Sequence, residues 1–140
     1  MDNKSLPKVI NTFVHPESYE SVIQKTLDWV SSDVKKYICA ANVHMVMEGY
    51  DDPAFQEMVN SSGITTPDGM PLVWMVRRLG YPDQQRVYGP TLTEKLLPVL
   101  AERGISCGFY GSTPEVLEKL KSNLKAKHPD LRINYLFSPP

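Results

Sequence analysis

Apolar residues recur along this chain at two alternating spacings. Steps of three and four suit a helix face, and short continuous or alternating runs suit strands. After Pro16-Glu17, the residues Tyr19, Val22, Ile23, Thr26, Leu27 and Val30 fall on one helical face. Tyr37 to Ala41 reads as a short buried strand whose small residues let a helix or ligand approach. Asn42-Val43-His44 leaves it, and Val43, Val46 and Met47 predict a helical turn. Asp52-Pro53 is a helix start, an Asp N-cap with proline in the first helical position. Ala54, Phe55, Met58 and Val59 give that helix its buried face up to Asn60, and Gly63 precedes the brief strand Ile64-Thr65-Thr66.

Pro67-Asp68-Gly69-Met70-Pro71 is a strand-to-helix corner, followed by a helix carrying Leu72, Val73, Met75, Val76 and Leu79 and stopped by Gly80. Arg86 to Pro90 is a tight connection or an edge strand. Thr91-Leu92-Thr93-Glu94 has capping-box form and opens a helix with Leu92, Leu96, Val99 and Leu100 inward, closed by Gly104. Ile105 to Tyr110 reads as a buried strand, and Gly111 to Glu115 as a glycine turn with a capped helix start. Val116, Leu117, Leu120 and Leu124 form the last helical stripe. Leu131, Ile133, Tyr135 and Phe137 alternate as a final strand. Repeated alternation of strand and helix predicts an α/β fold, a Rossmann-like three-layer α/β/α arrangement with a mainly parallel sheet.

Composition narrows the classes. At 140 residues the chain reads as a single domain, 1–140. A hydrophobic share of 41% with 22% charged residues is that of a folded chain rather than a disordered one. Fifteen Lys and Arg against 16 Asp and Glu argue against a nucleic-acid partner, which needs a basic surplus. No apolar run approaches the length of a spanning helix, and the opening MDNKSLPKVI does not read as a signal peptide. Cys39 and Cys107 stand in apolar runs and read as reduced strand residues of a cytosolic protein. Together with the scattered His15, His44 and His128 they show no metal-ligand spacing, so no metal is expected. The lysines of 119–127 with Arg132 read as a solvated helix face, with contact to anionic headgroups as the other option.

In parallel sheets, ligands bind beyond the carboxyl ends of the strands, where helix N-termini also point. Three corners qualify. At the first, Asn42 can orient a ligand, or simply cap the next turn. At the second, Asp68 can act as a general base, or cap the helix of Leu72 to Leu79; Gly69 beside it lets a substrate come close. At the third, Gly111-Ser112-Thr113 offers a glycine, two hydroxyls and a helix start, a weak signal for a phosphate cradle. It is neither a P-loop nor GxGxxG, so a generic dinucleotide enzyme is disfavoured. Arg86 can pair with a diphosphate, although a solvated surface arginine is the plainer outcome.

In chain order these corners resemble the WecG/TagA/CpsF family of glycosyltransferases. The motifs are Ala40-Ala41-Asn42, Thr66 to Trp74 (TPDGMPLVW), Arg86 to Leu92 (RVYGPTL), Phe109 to Pro114 (FYGSTP) and Leu124 to Ile133 (LKAKHPDLRI). The resemblance implies transfer of an N-acetylmannosamine-like sugar from a UDP-sugar to a polyprenyl-diphosphate-linked acceptor in cell-envelope or exopolysaccharide synthesis. It implies an inverting, metal-independent reaction with no cofactor. Asp68 matches the family's catalytic base and Arg86 its phosphate-holding arginine. Asn42, Gly69, Gly89, Gly111 and Ser112 fall among the substrate-binding positions. Ala40 departs from the family's usual threonine, which leaves a catalytically inactive nucleotide-binding or assembly module as the alternative.

Family members also continue well past Pro140, so the domain is expected to be incomplete. The resemblance places the protein in the cytoplasm at the inner face of the membrane, with peripheral contact through the C-terminal part absent here. The final strand, left at a sheet edge, predicts self-association into a homo-oligomer.

Overall fold

Two very short strands open the described chain. The computed structural model describes residues 5–140; Met1 to Lys4, the start of the stretch expected to carry no leader, lie outside the described residues. β1 (Lys8–Val9) and β2 (Thr12–Phe13) pair as an antiparallel hairpin. Strands of two residues are too short to show alternation, so the sequence pattern does not announce them. The elements that follow are α1 (Tyr19–Ser31), β3 (Ile38–Ala41), α2 (Val43–Asp51), α3 (Pro53–Asn60), β4 (Ile64–Pro67), α4 (Met70–Arg78), α5 (Gly89–Glu102), β5 (Cys107–Tyr110), α6 (Pro114–Lys127) and β6 (Ile133–Phe137).

The chain is a Rossmann-like α/β protein, as its alternating pattern predicts. Its parallel pairing is divided between two two-stranded ladders, β3–β4 and β5–β6. The described residues divide after Leu92 into two compact units, α5 beginning in the first and continuing in the second. None of the described helices is long and apolar enough to cross a membrane.

Several element boundaries follow from caps. The expected turn after Asn42 is a full helix, α2, because the Asn42 side chain accepts the Met45 N–H at 2.9 Å. Asp52 caps α3 as expected, accepting from Ala54 and Phe55 with Pro53 in the first turn. α5 starts at Gly89, two residues before the Thr91 capping box predicted for it. Arg86 to Tyr88 forms a connection rather than an edge strand: Val87 donates to Pro67 O at 3.1 Å, and its carbonyl accepts from the Thr66 hydroxyl.

The first unit is built on β4, whose four residues are all buried. Val9, Val14, Ala41, Val46, Leu72 and Val76 form one apolar cluster. Val22, Ile64 and Val87 form another, against which Tyr19, Trp29, Ile38 and Leu92 pack. Gly63 lies under Trp29, and a Cβ there would come within 2.8 Å of the indole. Several residues expected inward are exposed instead: Val30, Met58, Met75 and Leu79. A two-stranded ladder is narrow, so it covers only the central part of each helix's apolar stripe.

In the second unit, Leu97, Leu100, Leu117, Leu124 and Leu131 are buried. β5 is shorter than the buried strand expected over 105–110, and Gly108 and Tyr110 on it are exposed. Tyr110, Phe137 and Tyr135 stack in a row along one face of the ladder, with ring centroids 5.6 and 6.1 Å apart. Gly108 stands opposite Tyr135 because a Cβ there would meet that side chain's Cβ at 2.8 Å.

The hairpin is fastened to β4 by His15. Its backbone N–H donates to Thr65 O at 2.8 Å, and its Nδ1 accepts the Thr65 N–H at 2.9 Å. Burial holds the His15 pKa below 6.5, helped by Lys25 and opposed by Glu17. A folded-state value below the unfolded one means stability that is complete above pH 6.5 and is lost as pH falls through the folded value. Urea midpoints of the wild type should therefore drop on acidification below that point. His15→Ala, which leaves the buried Thr65 N–H unpaired, should cost about 1–3 kcal/mol and flatten the pH dependence. An unchanged slope in the variant would assign the effect to other groups.

Candidate functional site

The carboxyl ends of β3 and β4 lie side by side, Ala41 opposite Pro67. Beyond them, Asp68 and Gly69 both donate their backbone N–H groups to Ala41 O, at 3.0 and 3.1 Å. This pair of hydrogen bonds to one carbonyl turns the chain sharply out of β4 and presents the Asp68 side chain at the corner. The turn brings Gly69 against Asn42: a Cβ on Gly69 would lie 3.2 Å from the Asn42 Cα. Any side chain there requires the Asn42 backbone to give by a few tenths of an ångström. α4 begins at this point without any side-chain cap.

Asp68 does not cap α4, the plainer role its sequence position suggests. Its Oδ2 accepts the N–H of Gly89 at 3.0 Å, so it caps the start of α5, 21 residues on in the chain. Its Oδ1 lies 3.4 Å from Arg86 Nη2, and Arg86 Nε donates to the Asp68 carbonyl. A Cβ on Gly89 would touch Ala40 Cβ at 3.4 Å and Asp68 Oδ2 at 3.5 Å. Five of the residues singled out in the sequence, Asn42, Asp68, Gly69, Arg86 and Gly89, therefore meet at one corner, with Ala40 at its floor.

Three helix starts converge here, those of α2, α4 and α5. Each helix N-terminus carries partial positive charge on unsatisfied N–H groups, and a guanidinium stands among them. Such a place suits a diphosphate, while the Asp68 carboxylate supplies an anionic group able to take a proton. The Asp68 side chain is 15% exposed and that of Arg86 44%, so the carboxylate is recessed and the guanidinium faces solvent. Two of the arginine's five N–H groups go to Asp68, and a guanidinium can turn others to an anion. Asn42 spends its Oδ1 on the α2 cap, so its amide NH₂ is the group that can serve a ligand.

Sequence reasoning missed Tyr88. The Arg86 guanidinium lies 4.3 Å from the centre of its ring, and the Tyr88 N–H is accepted by the Tyr19 hydroxyl at 3.0 Å. The signal was present: in extended chain, residues two apart share a side, and Arg86-Val87-Tyr88 is such a triplet.

Gly111 and Ser112 belong to the second unit. Both have positive φ, 121° and 61°, and the turn is held by Gly111 N to Phe137 O at 2.9 Å and by the Ser138 hydroxyl to Ser112 O at 2.6 Å. The Gly111 N–H is thus committed, and an anion at this turn would rely on the other groups. Thr113 caps α6, accepting from Val116. Burial pushes the thiols of Cys39 and Cys107 up, the opposite of what a nucleophile needs. No cluster of potential metal ligands occurs among the described residues. A cavity of about 390 Å³ in the first unit, lined by Pro16, Ser18, Tyr81 and Gln84 among others, contains none of the corner residues.

The Glycosyl transferase WecG/TagA/CpsF family profile matches residues 7–140. Two N-acetylglucosaminyldiphosphoundecaprenol N-acetyl-beta-D-mannosaminyltransferases are similar. The one from Bacillus spizizenii is 24% identical over 121 residues, covering 86% of this chain and 47% of that protein. The one from Bacillus subtilis is 22% identical over 105 residues, covering 75% and 41%. The chain thus spans less than half the length of these relatives.

The packing at Gly69 gives a direct test of the corner. Gly69→Ala forces a Cβ against the Asn42 backbone and should cost about 1–3 kcal/mol of stability in urea unfolding. A variant as stable as the wild type would show that the β3 and β4 exits do not need this approach.

Proposed function

The chain belongs to the WecG/TagA/CpsF family of glycosyl transferases, and from that membership we propose that it transfers an N-acetylmannosamine-like sugar from a UDP-sugar to a polyprenyl-diphosphate-linked acceptor. The observation that carries the reading is the recessed Asp68 carboxylate beside the exposed Arg86, 3.4 Å apart, where three helix starts meet. The names of the two Bacillus relatives supply the sugar and the lipid-linked acceptor.

In this proposal the acceptor hydroxyl attacks the anomeric carbon of the donor from the side opposite UDP. Asp68 takes the hydroxyl proton as the new C–O bond forms, which a sugar hydroxyl requires because its own pKa lies far above 7. The bond to UDP breaks with its electron pair, and the charge gathering on the leaving diphosphate is met by Arg86 and the nearby helix N-termini. One displacement inverts the configuration. Tyr88 keeps the guanidinium over the corner, and Asn42 orients a substrate hydroxyl through its amide. The reaction uses no metal, since these groups supply the positive charge. Gly111 and Ser112 are proposed as a nucleotide-contacting turn of the second unit, tested on their own by Ser112→Ala.

Asp68→Asn is the informative variant. An asparagine Oδ1 can still accept the Gly89 N–H, so α5 keeps its cap while the base is lost. Turnover with a UDP-N-acetylmannosamine donor and a lipid-diphosphate-linked N-acetylglucosamine acceptor should fall at least about a hundredfold, with UDP affinity nearly unchanged. Near-normal turnover would return Asp68 to the role of a helix cap. If the wild type binds UDP but never turns over, the inactive nucleotide-binding or assembly module replaces this reading; the methyl of Ala40 at the floor of the corner, where the family has a hydroxyl, is what favours that alternative.

Arg86→Ala should weaken UDP binding by about 1.5–3 kcal/mol in calorimetry. EDTA should change neither binding nor turnover, and a metal requirement would overturn the charge assignment. The proposal includes self-association through the outer edge of β6, where a strand can add to the ladder. Sedimentation showing only monomer at high concentration would remove that part.

A further inference from the structure

α4 packs through Leu72, Val73 and Val76, all fully buried. Its other side carries Met70, Trp74 and Met75, with Leu79 at its C-cap, each more than a third exposed and Trp74 59%. Arg78 is exposed at the same end, and the helix contains no acidic residue. Two exposed apolar residues elsewhere stand beside acids, Met58 next to Glu57 and Tyr50 next to Asp51. At the α4 start, Val43 is also exposed, and its N–H lies 3.8 Å from where a Gly69 Cβ would sit. The catalytic corner therefore has an apolar rim on one side, continuous with the outward face of α4.

We propose that this face of α4 lies in the interfacial layer of an anionic lipid bilayer, with Trp74 at headgroup depth. A short helix with apolar residues outward, a tryptophan at mid-length and basic but no acidic charge is the composition that partitions into that layer. Tryptophan is favoured where one end of a side chain meets hydrocarbon and the other water. Arg78 matches the sign of an anionic surface; Arg77 is turned aside, its Nε donating to Gln84 O at 2.8 Å.

The placement suits the chemistry. A diphosphate fixed to a polyprenyl chain sits at headgroup level, and a protein resting on α4 brings Asp68, two residues before that helix, to the same level. This choice of surface rests on the acceptor proposed above, but its test does not, because binding is read without turnover.

The test is flotation of the protein with vesicles of phosphatidylcholine and phosphatidylglycerol, compared with phosphatidylcholine alone. Binding to the anionic vesicles should come with a blue shift of tryptophan emission. Trp29 is packed on the core, so the shift reports Trp74 and should vanish in Trp74→Phe while flotation persists. Trp74→Ser combined with Met75→Ser should lower partition at least about tenfold, whereas Met58→Ser should not. Absence of binding to anionic vesicles, equal binding to neutral ones, or an equal loss with Met58→Ser would overturn the proposal. So would lipid-free sedimentation showing that the double variant dissolves a dimer, since the face would then belong to a second copy. UDP affinity and turnover on a water-soluble acceptor, measured on the same variant, report the reaction separately.

Discussion

One carboxylate holds the exit of β4, a connecting arginine and the start of a distant helix in one place. Asp68 gives one oxygen to the Gly89 N–H and the other to Arg86, so the chain that leaves as α4 is tied to the chain that returns as α5. Besides that tie, the 86–88 segment is held by Val87 to Pro67 and Thr66 and by Arg86 Nε to the Asp68 carbonyl. The tie works only because the positions around it carry almost no side chain. A Cβ on Gly69 would press on the Asn42 backbone at 3.2 Å, and one on Gly89 would reach Ala40 and Asp68 in ordinary contact. The composition of the corner is thus as much a matter of space as of chemistry.

The proposed reaction asks a second task of the same group. A capping carboxylate and a base both need an accessible oxygen lone pair, and Asp68 has enough for both: capping engages Oδ2, and a substrate hydroxyl can approach on the Oδ1 side, where Arg86 now stands. A diphosphate competing for the guanidinium would draw Arg86 toward itself and open that side. Tyr88, beneath the guanidinium, limits how far the arginine can swing. Structure and chemistry thus share the residue without dividing its geometry.

Much of this was legible from residue order. Asp52-Pro53 announced α3 because cap and proline act locally, within one turn. The helix boundaries at Gly80 and Gly104 were legible for the same reason: both have positive φ, which glycine adopts freely. The capping alternative for Asp68 names α4 rather than α5 because the cap bond spans 21 residues, and no local rule sees across that distance. The start of α5 was misplaced with it, since Thr91 has capping form but the nonlocal carboxylate arrives first. Met75, Leu79 and Val30 were placed inside because periodicity reports a helix's apolar face, not the width of what covers it. Tyr88 was passed over because an aromatic side chain in a connection has many ordinary uses, and only the ring under Arg86 distinguishes it.

The hairpin of β1 and β2 is made early in synthesis but secured late. The Asn60 side chain bonds Phe13 N and Asn11 O, and Thr65 bonds His15, across 47 to 50 residues. As the chain emerges from the ribosome, the hairpin has no partner until α3 and β4 have followed it out. Closing a loop of that length costs conformational entropy before the new contacts return any. The N-terminal segment therefore waits as a short, unsupported pair of strands, and the first unit can close only when residue 65 and its neighbours are available. A tag fused to this hairpin would burden a segment that docks only after residue 65 is available, although it is translated before that residue.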